Sequence, residues 1–290
     1  MRYSEDQRHS EEGIFVPHGL HRPFFPLRDR AAVAERGEAG RFVWHELYTP
    51  SAQESVRFYK ALFGWQADSP AGGETVRMQH PNNGEVAGLI QLRPDQDLPP
   101  QWVPGVAVPD AGDAAGQARQ LGAAVAVADE RFESGRRLSL VRDPQGAILL
   151  AVAGDRSSHA ARDVPPGPPG GFTWHELVSP EPEASERFYR ELVDWQTQER
   201  DLGDGASYRM LGNRERPAAG LLPAAGAAAP AFWLSYLQVP DVDHIDEHAE
   251  ALGARVLATP PPLPEGTRYA IVNDPHGATL GVVEPNPATA

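Results

Sequence analysis

A tetrapeptide recurs along this chain with its register kept. Trp44-His45-Glu46-Leu47 returns as Trp174-His175-Glu176-Leu177, an offset of 174 − 44 = 130. The same offset carries Phe58-Tyr59 onto Phe188-Tyr189 and Trp65-Gln66 onto Trp195-Gln196. Further on, Asp143-Pro144-Gln145-Gly146-Ala147 returns as Asp274-Pro275-His276-Gly277-Ala278, an offset of 274 − 143 = 131 that also carries Trp102 onto Trp233 and Arg137 onto Arg268. Separate landmarks holding one period mark tandem copies of a single folded unit. Each copy has about 115 residues, enough for a core of its own.

Composition narrows the function classes. Hydrophobic residues make up 41% of the chain, as in globular proteins. The formal net charge is 26 − 40 = −14, which argues against nucleic-acid and anionic-membrane partners, since both require basic patches. The chain has no cysteine, hence no disulfide, thiol nucleophile or thiolate metal site. No apolar run reaches membrane-spanning length and the N-terminus has no h-region. A cytoplasmic protein is the expectation, with a small molecule as its partner; association into a homodimer is left open.

The expected division is an N-terminal extension over 1–40, a first domain over 41–156, a Pro-rich linker over 157–170 and a second domain over 171–287. The extension carries two apolar islands, Ile14-Phe15-Val16 and Phe24-Phe25-Pro26-Leu27, expected to dock on the body. Arg41 to Tyr48 reads as a strand with Trp44, Glu46 and Tyr48 on one face and Val43, His45 and Leu47 on the other. Ser51 supplies a cap for a helix bearing Val56, Tyr59, Leu62 and Phe63, which Gly64 ends. Pro81-Asn82-Asn83-Gly84 reads as a hairpin turn between strands near Thr75–Gln79 and Val86–Leu92. A fainter strand–helix–strands module follows, so the chain holds four.

This module order, with Phe-Tyr then Gly/Asp-Trp closing the first helix and Asp-Pro-x-Gly-Ala before the last strand, resembles the vicinal oxygen chelate superfamily of glyoxalases, bleomycin resistance proteins and extradiol dioxygenases. It is most similar to the tandem two-domain branch often labelled "hydroxylase". The resemblance implies an α+β fold of tandem domains, each made of two βαβββ modules forming a U-shaped cup. It also implies metal-ligand positions, which fall on Trp44 and Trp174, near Val103 and Leu234, and on Leu150 and Gly281. None of these side chains ligates a divalent metal, so neither a metal nor another cofactor is expected.

Glu46 and Glu176 are the candidate catalytic residues. Each should face the cup against aromatic walls, where a carboxyl has a raised pKa and can act as acid, base or anchor. The competing reading is a structural ion pair with Arg77, Arg209, Arg137 or Arg268. Those arginines, with Trp44, Tyr48, Trp102, Trp174, Tyr208 and Trp233, are the candidate ligand-binding residues. His45 and His175 are one residue off the ligand position, hence on the helix-facing side, and read as hydrogen-bonded core histidines. His244 and His248 have a zinc-compatible helical spacing but read as solvated. The leading expectation is a metal-independent protein that binds a partly apolar organic molecule. The alternatives are a metal-independent isomerase, lyase or cyclase using a Glu for proton transfer, and a metal-dependent glyoxalase or dioxygenase.

Overall fold

The structure is a computed structural model that describes residues 39–68, 75–81, 84–96, 98–132, 136–154, 169–203, 206–213, 216–224, 226, 229–263 and 266–285. The N-terminal islands, the Asn82-Asn83 turn and residues 157–168 of the expected linker lie outside the described residues. The first repeat runs β1 (Phe42–Thr49), α1 (Ala52–Phe63), β2 (Gln66–Asp68), β3 (Thr75–His80), β4 (Gly84–Gln91), then β5 (Gln101–Ala107), α2 (Ala111–Gln120), β6 (Ala124–Arg131), β7 (Arg137–Arg142) and β8 (Ile148–Ala153). The second repeats it as β9 (Phe172–Ser179), α3 (Pro182–Val193), β10 (Gln196–Gly203), β11 (Ala206–Asn213), β12 (Arg216–Pro223), β13 (Phe232–Gln238), α4 (Val242–Ala251), β14 (Arg255–Ala258), β15 (Arg268–Asn273) and β16 (Thr279–Glu284). Each repeat is thus two βαβββ-like units, as the resemblance implied.

Local chemistry sets the helix ends. Ser51 stays extended and its hydroxyl accepts from the Glu54 amide, capping α1. Gly64 then takes the left-handed conformation at φ 70° and ends the helix. Asp194 does the same for α3 at φ 55°, a position where Asp is among the better-tolerated non-glycine residues. The marginal strand β2 is exposed throughout, which explains why no alternation announced it.

The strands form two eight-stranded sheets, β2-β3-β4-β1-β5-β8-β7-β6 and β10-β11-β12-β9-β13-β16-β15-β14. At each centre β1 runs antiparallel to β5, and β9 to β13. The expected U-shaped cup does not form. β2 and β6 are the margins of one open sheet, β10 and β14 of the other, and among the described residues no pairing joins them. Nor does each repeat complete its helix-side core alone. Trp65, Tyr59 and Met78 share one cluster with Leu237, Ile245 and Val272, while Val141 and Leu149 share another with Tyr189, Trp195 and Leu211. The first module of each repeat therefore packs on the second module of the other, and burial is achieved between the sheets rather than by closing either one.

The repeated landmarks are the fasteners of that packing. The Tyr59 hydroxyl donates to Asp274 Oδ2 at 3.0 Å, and Tyr189 to Asp143 Oδ2 at 2.9 Å. The Trp65 indole donates to the Gly170 carbonyl and Trp195 to the Gly40 carbonyl, both at 2.8 Å. His45 and His175 meet Nε2 to Nε2 at 2.8 Å, each ring stacked on a phenylalanine of the other repeat, Phe172 and Phe42. They are hydrogen-bonded core histidines on the helix side. Among the described residues no helix is long and apolar enough to cross a membrane.

Candidate functional site

The helix-free face of the first sheet carries Trp44, Glu46 and Tyr48 from alternate positions of β1, all buried. Glu46 is 1% exposed. Its Oε2 accepts from the Tyr48 hydroxyl at 2.9 Å and its Oε1 from the Trp44 indole at 3.3 Å. Burial pushes its carboxyl up to about 6, against the pull of these two donors. Arg136, just before β7 and 9% exposed, sits with its guanidinium carbon 4.4 Å above the centre of the Trp44 ring. Its charge faces Glu85 on β4 at 3.5 Å, and Arg77 on β3 faces the same carboxylate at 3.3 Å. Partly buried Val43, Ile90, Leu92, Val127 and Phe132 pack around this apolar cluster.

The corresponding face of the second sheet is filled differently. Glu176 is fully buried, with the Tyr208 hydroxyl donating to Oε1 at 2.6 Å and the Tyr236 hydroxyl to Oε2 at 2.7 Å. The Trp174 indole donates to Tyr208 at 3.1 Å. The phenols lie where glycines leave room. A Cβ on Gly220 would fall 1.8 Å from the Tyr208 oxygen, and one on Gly281 2.2 Å from the Tyr236 ring. The paired positions Tyr236 and Gly281 are Gly105 and Leu150 in the first repeat, so large and small have changed places. Arg136 has Thr267 as its counterpart at the offset of 131, so that cation is not repeated.

Other expected ligand contacts lie elsewhere. Trp102 and Trp233 belong to the helix-side cores, where their indoles donate to Tyr59 at 2.9 Å and Tyr189 at 3.1 Å. Arg209 pairs with Glu183 and Glu186 on α3, Arg268 with Asp243 and Glu284, and exposed Arg137 with Asp129. Arg77 and Arg209, both candidate partners of the repeated Glu, are separated by the ladder. Gly88 and Gly220 each lie opposite the repeated Glu, and their partners on the next strand are Arg77 and Met210, so Arg209 is on the other face. Arg136 was missed because it is not repeated. Strand alternation beside Arg137 is the signal that would have found it. His244 is exposed and His248 half-buried on α4.

The positions that the resemblance assigns to metal ligands do come together. Trp44, Val103 and Leu150 share one cluster, and Trp174 and Leu234 share another with Tyr236, which covers Gly281. Indole nitrogen is only a donor and the rest are apolar, so these residues do not fit a divalent metal. Among the described residues no group of three or more acids or histidines could hold one.

The model of the glyoxalase/bleomycin resistance protein/dioxygenase superfamily matches residues 171–282. CFP32 of Mycobacterium bovis, provisionally named a glyoxylase, is 28% identical over 249 residues, covering 84% of this chain and 94% of its own. The anthracycline biosynthesis protein DauV of Streptomyces sp. strain C5 is 28% identical over 266 residues, covering 84% and 93%. The homoprotocatechuate 2,3-dioxygenase of Arthrobacter globiformis superposes with a TM-score of 0.59 at 16% identity, over 87% of this chain and 83% of its own. At that identity the likeness shows the fold alone.

Proposed function

We propose that the chain is a member of the glyoxalase/bleomycin resistance protein/dioxygenase superfamily, which its second repeat matches directly and its first repeat follows in topology, and that it binds a small, partly apolar organic molecule without a metal, beside Glu46. The observation that carries this reading is the difference between the two glutamates. Glu176 is closed off by two short phenol hydrogen bonds and aromatic packing. Glu46 has one phenol and a longer indole contact, with two arginines and a partly exposed apolar rim nearby. Apolar walls with a few convergent polar groups are what small-molecule sites are made of. The name of DauV supports trying flat polycyclic aromatics first. Mass spectrometry of material released from the purified, denatured protein, followed by titration with an anthraquinone, tests the reading. A small molecule recovered at near one per chain, or saturable anthraquinone binding, supports it; neither one would end it.

A second reading, a metal-independent isomerase, lyase or cyclase, is favoured by one observation. A Glu46 carboxyl at about 6 is close to the pH at which a protein general acid or base works best. Conversion of the recovered molecule during incubation, absent in Glu46→Gln, would select it over simple binding.

A further inference from the structure

We propose that Arg136 is an anion-binding group of the first sheet's helix-free face, and that the ligand is a flat aromatic acid: a carboxylate or an acidic enol or phenol. This inference rests on the reading of the Glu46 site given above. Two guanidiniums, Arg77 and Arg136, share the single carboxylate of Glu85, at 3.3 and 3.5 Å. Arg136 is nine-tenths buried, and burial lowers its pKa, with Glu85 and Glu46 pulling the other way and Arg77 adding to the cost. Buried guanidinium is stable where carboxylates satisfy it in fork geometry, and half of one carboxylate is a thin supply. The nitrogen Nε of Arg77 is also buried without a hydrogen-bond partner among the described residues.

The charge of Glu46 also acts on Arg136, and burial makes Glu46 retain a proton more readily than an exposed glutamate. An anion arriving at Arg136 takes over the pairing with that cation. Glu46 then takes a proton from water and offers an O–H to the ligand in place of a second negative charge. The other groups that act on this carboxyl are Tyr48 and Trp44 on its own strand and exposed Glu130 on β6, whose charge also favours the protonated form. The contact of Arg136 with the Trp44 ring holds the guanidinium over this face. Thr267 stands at the equivalent position in the second repeat, so the pairing proposed for Arg136 is assigned to the first face.

The test is a fluorescence or calorimetric titration of the full chain at pH 7 with an anthraquinone carboxylate and with its neutral carboxamide. The wild type should prefer the carboxylate by about tenfold, as a charge-assisted pair would give. Arg136→Gln should erase the preference, Arg136→Lys should keep part of it, and Glu85→Gln should tighten carboxylate binding by removing the competing anion. Equal affinities in the wild type, or a preference that survives Arg136→Gln, overturns the inference while leaving the Glu46 site standing. Binding of neither probe overturns both. Should Arg136→Gln fail to fold, Glu85→Gln decides: weaker or unchanged carboxylate binding counts against the proposal.

Discussion

His45 Nε2 lies 2.8 Å from His175 Nε2, so the same residue of the two repeats meets its counterpart between the sheets. One ring must donate and the other accept, which requires at least one of them to be neutral. Burial lowers the pKa of both, that of His45 to about 3, although its hydrogen bond to the Val86 backbone works against the shift.

Acid should therefore loosen the pairing of the repeats. A base whose folded pKa is depressed contributes stability above its unfolded value of 6.5, and that contribution is lost as pH falls toward the folded value of about 3. For His45 alone the loss is about 2 kcal/mol by pH 5. Urea midpoints measured between pH 7.5 and 5 should fall, and should fall less in His45→Gln. Equal slopes in both proteins would contradict the assignment.

Tyr59→Phe should cost about 1–3 kcal/mol, because it leaves Asp274 Oδ2 and the Trp102 indole without their shared hydroxyl in a buried place. Tyr189→Phe should cost a similar amount through Asp143 and Trp233. Denaturant unfolding reads both. A change below about 0.5 kcal/mol in either would remove the hydrogen bond from the account of how the repeats are held.

The exchanged sizes at the sheet centre can be tested by moving them. Gly281→Leu forces a side chain into the ring of Tyr236 and should destabilise by about 2 kcal/mol or more. Adding Tyr236→Gly recreates the Gly105–Leu150 pair of the first repeat and should recover part of that loss. Recovery will be incomplete, since Tyr236 also donates to Glu176. No recovery would mean that the two positions do not trade volume.

Much of this was legible in the residues, and the failures have specific causes. Alternation along Trp44–Tyr48 placed Glu46 and His45 on opposite faces, because a strand admits only that period. The partner of Glu46 was not legible. It was sought among repeated arginines, yet Arg137 and Arg268 are held by local acids, and the cation beside Glu46 is the unrepeated Arg136. The phenols on Glu176 come from β11 and β13, while that on Glu46 comes from its own strand, so sequence equivalence conceals a similar solution. The packing of each first module on the other repeat's second module was equally hidden, since hydrophobic periodicity marks a buried face without naming what covers it. The closed cup came from resemblance, and the open sheet order replaces it.

The most direct test of the account compares Glu46→Gln with Glu176→Gln, by thermal melts and by titration with an anthraquinone carboxylate. The Glu46 carboxyl, raised from 4.5 to about 6, loses about 2 kcal/mol of stability as pH rises through that window, so at pH 7 its neutral isostere should melt no lower than the wild type. Its affinity for the anionic probe should rise, because the amide donates to the ligand without the negative charge that Glu46 must first lose. Glu176→Gln disturbs two phenols and should lower stability by about 1–3 kcal/mol with affinity unchanged. Unchanged affinity in Glu46→Gln, with loss of stability alike at both positions, would contradict the account.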